Sequence, residues 1–139
     1  MNSLRNLCAK SLSFTAAGWM MACMTGPVPA NAQARLAVKS SETIELGVIY
    51  HVSNCKSLIV GTPQIEVLEA PDEIKLTYKE EMVVPRRQGC SNRVPGGKLL
   101  LNAAEIKESG QAKLTYRVKY ATKDGPRQLS GAYVVTLFP

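Results

Sequence analysis

Between Leu114 and Leu137 apolar side chains recur at every second position, a spacing that commits this stretch to a two-faced β-hairpin. Leu114, Tyr116, Val118 and Tyr120 alternate with Lys113, Thr115, Arg117 and Lys119. A turn at Lys123-Asp124-Gly125-Pro126 follows, and the returning strand sets Tyr133, Val135 and Leu137 on one face and Ala132, Val134, Thr136 and Phe138 on the other. Because successive strand side chains point to opposite faces, one face of this hairpin is built for a core and the other for solvent.

The same period recurs upstream. Ile44, Leu46, Val48 and Tyr50 predict a half-buried strand, preceded by a short leader over residues 35–41. Leu58-Ile59-Val60, then Ile65 and Val67, predict two short strands separated by a turn at Gly61-Thr62-Pro63. Ile74, Leu76 and Tyr78 predict another strand, closed by Glu80-Glu81, after which Met82-Val83-Val84 starts a new apolar piece. Pro85 to Lys98 is nearly devoid of apolar side chains and reads as the longest loop. Leu99-Leu100-Leu101 resumes a strand, and Ala103 to Glu108 is expected to form one helical turn. Short strands with frequent turns predict an all-β fold of two antiparallel sheets packed as a sandwich.

The first 34 residues have a different grammar. Arg5 and Lys10 precede an uncharged, mostly apolar stretch from Ser11 to Met24, and no acid occurs before Glu42. That stretch is shorter than the ~20 residues needed to span a bilayer. Gly26, Pro27 and Pro29 stop a helix, and Ala30-Asn31-Ala32-Gln33-Ala34 offers small-x-small cleavage sites. A cleavable signal peptide over 1–34 is expected, with cut after Ala34 or, second, after Ala32, leaving one domain over 35–139 in the periplasm or outside the cell. The alternative is a lipoprotein anchored through Cys23, although Met20-Met21-Ala22 lacks the leucine and the small residue expected three and two positions before that cysteine. No apolar run in 35–139 is long enough to cross a membrane.

Loss of Cys8 and Cys23 with the signal leaves Cys55 and Cys90, an even pair in an oxidising compartment. A disulfide between them is expected to stabilise a domain of this size by roughly 4 kcal/mol in the chain-entropy account. Loss of Arg5 and Lys10 lowers the formal net charge from +6 to +4. The remaining charge is segregated: residues 42–81 hold eight acids and three lysines, residues 86–127 ten Lys or Arg and three acids. Such asymmetry serves sheet pairing or an anionic envelope partner, and the compartment disfavours nucleic acid.

At the last hairpin, Gly110-x-x-x-Leu114-x-Tyr116-x-Val118-x-Tyr120, Asp124-Gly125 and Tyr133-x-Val135-x-Leu137 resemble the final strand pair of bacterial immunoglobulin-like and cadherin-like domains. Pro71 and Cys90 to Gly97 match, more loosely, middle turns of small exported proteobacterial relatives of unknown function. The resemblance implies an immunoglobulin-like sandwich and a binding role. It carries neither the antibody-type core, because the only tryptophan is Trp19, nor a calcium motif, because no D-x-D cluster exists.

Catalytic chemistry is not expected. His51 is the only histidine and stands out of phase with Val48 and Tyr50, facing away from the core. No Gly-x-Ser-x-Gly context occurs, and Asp72 and Asp124 read as turn residues. A lone His, two oxidised Cys and Met82 make no metal set, so no metal or cofactor is expected. Candidate partner-binding residues are Arg86, Arg87, Arg93 and Lys98 in the long loop and Lys113, Arg117 and Lys119 along one strand, suited to a carboxylate- or phosphate-bearing protein or surface. The expectation is a non-enzymatic binding or structural module of the envelope. Two alternatives stay open: an exported inhibitor or accessory acting on a peptidoglycan-directed or host enzyme, and a subunit that extends another chain's sheet.

Overall fold

The computed structural model of the protein describes residues 33–139. Nearly all of the expected signal segment, with Cys23, lies outside the described residues. In chain order the strands are β1 (Ala34–Lys39), β2 (Thr43–Ile49), β3 (Val52–Ser53), β4 (Lys56–Ser57), β5 (Ile59–Glu69), β6 (Ile74–Val83), β7 (Val94–Ala103), β8 (Gly110–Thr122) and β9 (Gly125–Phe138).

A four-stranded sheet, ordered β1-β9-β8-β5, packs against a three-stranded sheet ordered β2-β7-β6, and β3 with β4 forms a separate small hairpin. Setting β1 and that hairpin aside, this is the order of strands B, E and D facing G, F and C of an immunoglobulin-type sandwich. Every pairing is antiparallel except β1 with β9, which run parallel from Ala34↔Tyr133 to Lys39↔Phe138.

The alternation of the last hairpin is realised without a slip. β8 and β9 pair continuously from Gly110↔Leu137 to Thr122↔Gly125, so Lys123 and Asp124 alone make the turn. Leu114, Tyr116, Val118, Val135 and Leu137 enter the core from this sheet, and Val38 joins them from β1. Ile49, Ile74, Leu99 and Leu101 meet them from the other sheet. Truncating one of these large side chains, Leu101 for example, is expected to cost about 2–5 kcal/mol.

Several local expectations are corrected. Residues 34–39 are not a leader but the β1 edge strand, which a short Ala- and Lys-containing stretch does not advertise. In β2 a register shift between Glu45 and Gly47 reverses the phase, so Ile49 is 2% exposed and Val48 40%. Gly61-Thr62-Pro63 is not a turn between strands but a bulged stretch inside β5, with Gly61 at φ 73°. Met82 and Val83 continue β6 through Glu80-Glu81 in unbroken register with β7. No helix forms at Ala103–Glu108; Ile106 is buried there and its N–H donates to Ser40 Oγ at 2.9 Å.

The long loop ends at Arg93, because Gly96 and Gly97 belong to β7. Both are strand glycines because a neighbour occupies the space of a side chain. Gly96 faces Ile49 O and Val83 Cγ2, and the Tyr78 ring lies over Gly97. The opposite sheet repeats the device, with the Tyr116 ring over Gly131.

Candidate functional site

The site begins with the segment 84–93 that joins β6 to β7. Arg86–Gln88 form a single 3-10 turn, closed by Gly89 in the left-handed conformation with its N–H donating to Arg86 O. Pro85 and Cys90 are buried beneath it. Across from it, Asn54 and Cys55 occupy the turn between β3 and β4, both with positive φ, 48° and 58°. That is the backbone of a two-residue hairpin turn, which Asn accepts more readily than Cys. The Cys55–Cys90 disulfide, Cα–Cα 5.6 Å, joins this turn to the loop. One further tether is a hydrogen bond of 3.4 Å from the Arg87 N–H to the Tyr50 hydroxyl.

Arg86–Gln88 and Arg93 of this loop line an open groove of about 800 Å³. Its floor is the outer face of the three-stranded sheet, with Glu45 and Val48 of β2, Lys98 of β7 and Glu81 of β6. Arg86, Arg87 and Arg93 stand on its rim, and at one side it reaches Tyr50 and Leu129 of β9. Lys98 sits between two carboxylates, 3.1 Å from Glu45 and 3.8 Å from Glu81. Their hydrogen bonding and charge, Glu45 first, raise the Lys98 ammonium above the ordinary lysine range. Lys98 is therefore engaged by the groove's own acids and offsets one of their two charges, instead of offering its charge to a partner. The three arginines have no acid within ion-pair distance among the described residues.

The remaining basic candidates are elsewhere. Lys113, Arg117 and Lys119 alternate with buried Leu114, Tyr116 and Val118, so they point out from the four-stranded sheet, the face opposite the groove. Grouped with the loop arginines as candidate partner-binding residues, they lie across the sandwich from them. Arg117 and Lys119 also converge on Glu66 of β5, at 3.4 and 3.2 Å. The Lys119 hydrogen bond, then its charge, holds the Glu66 carboxyl below the usual carboxylate range. Only Lys113 of this row lacks such a pair among the described residues.

His51 follows β2 half-buried, its Nε2 3.5 Å from Asp124 Oδ2 in the β8–β9 turn. Among the described residues no group of three or more His, Cys, Asp or Glu could hold a metal ion. No helix among them is long and apolar enough to cross a membrane. Sequence reasoning missed the contributions of Tyr50, Val48 and Leu129 to the groove. Tyr50 carried a signal in being the aromatic end of its expected strand; Leu129 carried none, because its role depends on where β1 begins. No family model, curated protein or solved structure matches the chain.

Proposed function

We propose that this chain is an exported, non-enzymatic binding module of the cell envelope, of immunoglobulin-like or cadherin-like kind, whose arginine-rimmed groove receives an anionic partner. The observation that carries the reading is the charge arrangement of the groove. Its acids, Glu45 and Glu81, are both paired with Lys98, whereas Arg86, Arg87 and Arg93 are left with their charge facing solvent. Guanidinium groups on a loop anchored by a disulfide suit bidentate contact with carboxylate or phosphate oxygens at reduced ordering cost. The disulfide also suits an oxidising compartment.

Isothermal titration with sodium tripolyphosphate at physiological salt tests this reading. Saturable binding is expected, with at least a tenfold loss in Arg86→Glu/Arg87→Glu/Arg93→Glu and little change in Lys113→Glu. No binding, or equal binding by both variants, would overturn it.

A further inference from the structure

The sandwich has an interrupted edge beside the groove. β8 covers one side of β9 along its full length, from Gly125 to Leu137. β1 covers the other side only from Tyr133 to Phe138. Along Gly125–Ala132 the second side of β9 has no strand partner among the described residues. An antiparallel strand directs alternate N–H and C=O groups to each side, so this stretch offers a short ladder to an incoming chain.

Other edges carry devices that discourage pairing. β5 has register shifts at Val60/Gln64 and Val67/Glu69, β2 has one at Glu45/Gly47, and the central part of β6 is crowded with Lys79, Glu80 and Glu81. From Gln128 to Ala132 the β9 edge has no charge and no shift in register. Leu129, in the middle of this stretch, also lines the groove that bears Arg86, Arg87 and Arg93.

We infer that an extended, acidic polypeptide segment of a partner protein adds as a strand along Gly125–Ala132, taking up the path of β1, and seats its carboxylates on Arg86, Arg87 and Arg93. The occupant is fixed by two requirements that one ligand must meet together. Backbone hydrogen bonds to β9 demand a peptide in strand conformation, and the three arginines demand acidic side chains on it. An inorganic phosphate or a lipid headgroup satisfies only the second. This inference rests on the groove's being an anion site and adds the strand to it.

The probe is an end-blocked octapeptide of alternating valine and glutamate, with a valine–lysine octapeptide as control. Backbone N-methylation of the first peptide at alternate residues removes its ladder donors and leaves its charge. Hydrogen exchange followed by mass spectrometry should show amides within 127–132 exposed in the free protein and slowed at least tenfold by the acidic peptide. The N-methylated and lysine peptides, and the Arg86→Glu/Arg87→Glu/Arg93→Glu variant, should each lose at least tenfold in affinity.

Binding of tripolyphosphate without binding of the peptide would overturn strand addition and leave the anion groove standing. Equal affinity for the N-methylated peptide, or peptide binding with unchanged exchange at 127–132, would do the same. Protection, before any peptide is added, of those 127–132 amides that point away from β8 would mean that the chain preceding β1 already fills the edge, and would overturn the inference. Absence of binding by both probes would remove the groove reading as well.

Discussion

Arg86, Arg87 and Arg93 stand on a loop around a groove, whereas Lys113, Arg117 and Lys119 stand in a row on β8. In sequence the two clusters carry the same formal charge, three cations each, yet those charges are committed differently. On β8 the neighbouring strand places Glu66 beside Arg117 and Lys119, and the pairs form across the ladder. In the loop no strand runs alongside, and the acids of the groove go to Lys98 instead. A basic residue's availability is therefore decided by what the fold sets across from it. The loop cluster remains open to a partner, and the strand cluster is largely satisfied within the sheet.

The comparison is broken most severely by removing the bond that gives the loop its shape. Cys55→Ser/Cys90→Ser is expected to lower unfolding stability by roughly 2–5 kcal/mol in urea titrations. Hydrogen exchange should rise across 86–93 while 113–119, held by ladders on both sides, keeps its protection at low denaturant. A double variant as stable as the parent would show that the loop is held by its other contacts.

A smaller effect is expected from β7, behind the Ile49 and Val83 that line the groove. A Cβ at Gly96 would stand 2.5 Å from Ile49 O and 2.8 Å from Val83 Cγ2, and the backbone oxygen has no rotamer by which to withdraw. Gly96→Ala should lose about 1–3 kcal/mol, the usual range for overpacking, and weaken tripolyphosphate binding with it. Gly47→Ala, with nothing within 4 Å of the added carbon, is the matched control and should unfold near the parent midpoint. Equal midpoints for the two variants would contradict the packing described for β7.

The underside of the β8 row carries a pH signature of its own. Burial, and then the neighbouring Tyr133, push the Tyr116 phenol up to about 12 from an ordinary value near 10. The unfolded chain releases this proton first, so the contribution is fully present below about pH 10 and is lost as pH rises towards about 12. Tyr116→Phe should flatten that alkaline fall in thermal midpoint. An unchanged slope would mean that other groups set it.

The mildest change sharpens the contrast most directly. Glu66→Gln should leave the unfolding midpoint within the small range typical of surface substitutions. It should also give the β8 row a weak, salt-sensitive affinity for tripolyphosphate that the parent's row lacks. The Glu66 carboxyl is held low by Lys119, so its contribution is present above the ordinary carboxylate range and is lost as pH falls through its folded value. The variant should accordingly show a shallower acid limb. No new binding in Glu66→Gln would show that pairing is not what silences this row.

How far the fold was legible follows from the same contrast between ladders and loops. β8 and β9 announce themselves because strict alternation is a local property and their register contains no shift. The disulfide was readable from the expected compartment and the parity of the cysteines left after residue 34, and the structure joins Cys55 to Cys90. Gly96 and Gly97 resemble a loop in sequence and become strand only because Tyr78, Val83 and Ile49 occupy the space above them. The bulge in β2 likewise turned Ile49 inward where the period had placed Val48. Arg86, Arg87 and Arg93 were identifiable as a cluster from their loop context. Their separation from Lys113, Arg117 and Lys119 was not, since it depends on which sheet each strand joins.

The parallel pairing of β1 with β9 bears on the timing of assembly. Among the described residues the strand partner of residues 34–39 lies at 133–138, so the pairing cannot form until nearly one hundred further residues have emerged. Contacts of such long sequence separation slow folding, because a large loop must close before they contribute anything. A nascent chain of this design keeps its first strand unpaired through almost all of its synthesis. Delayed closure of this kind leaves the four-stranded sheet without its parallel edge until synthesis of the hairpin partner is nearly finished.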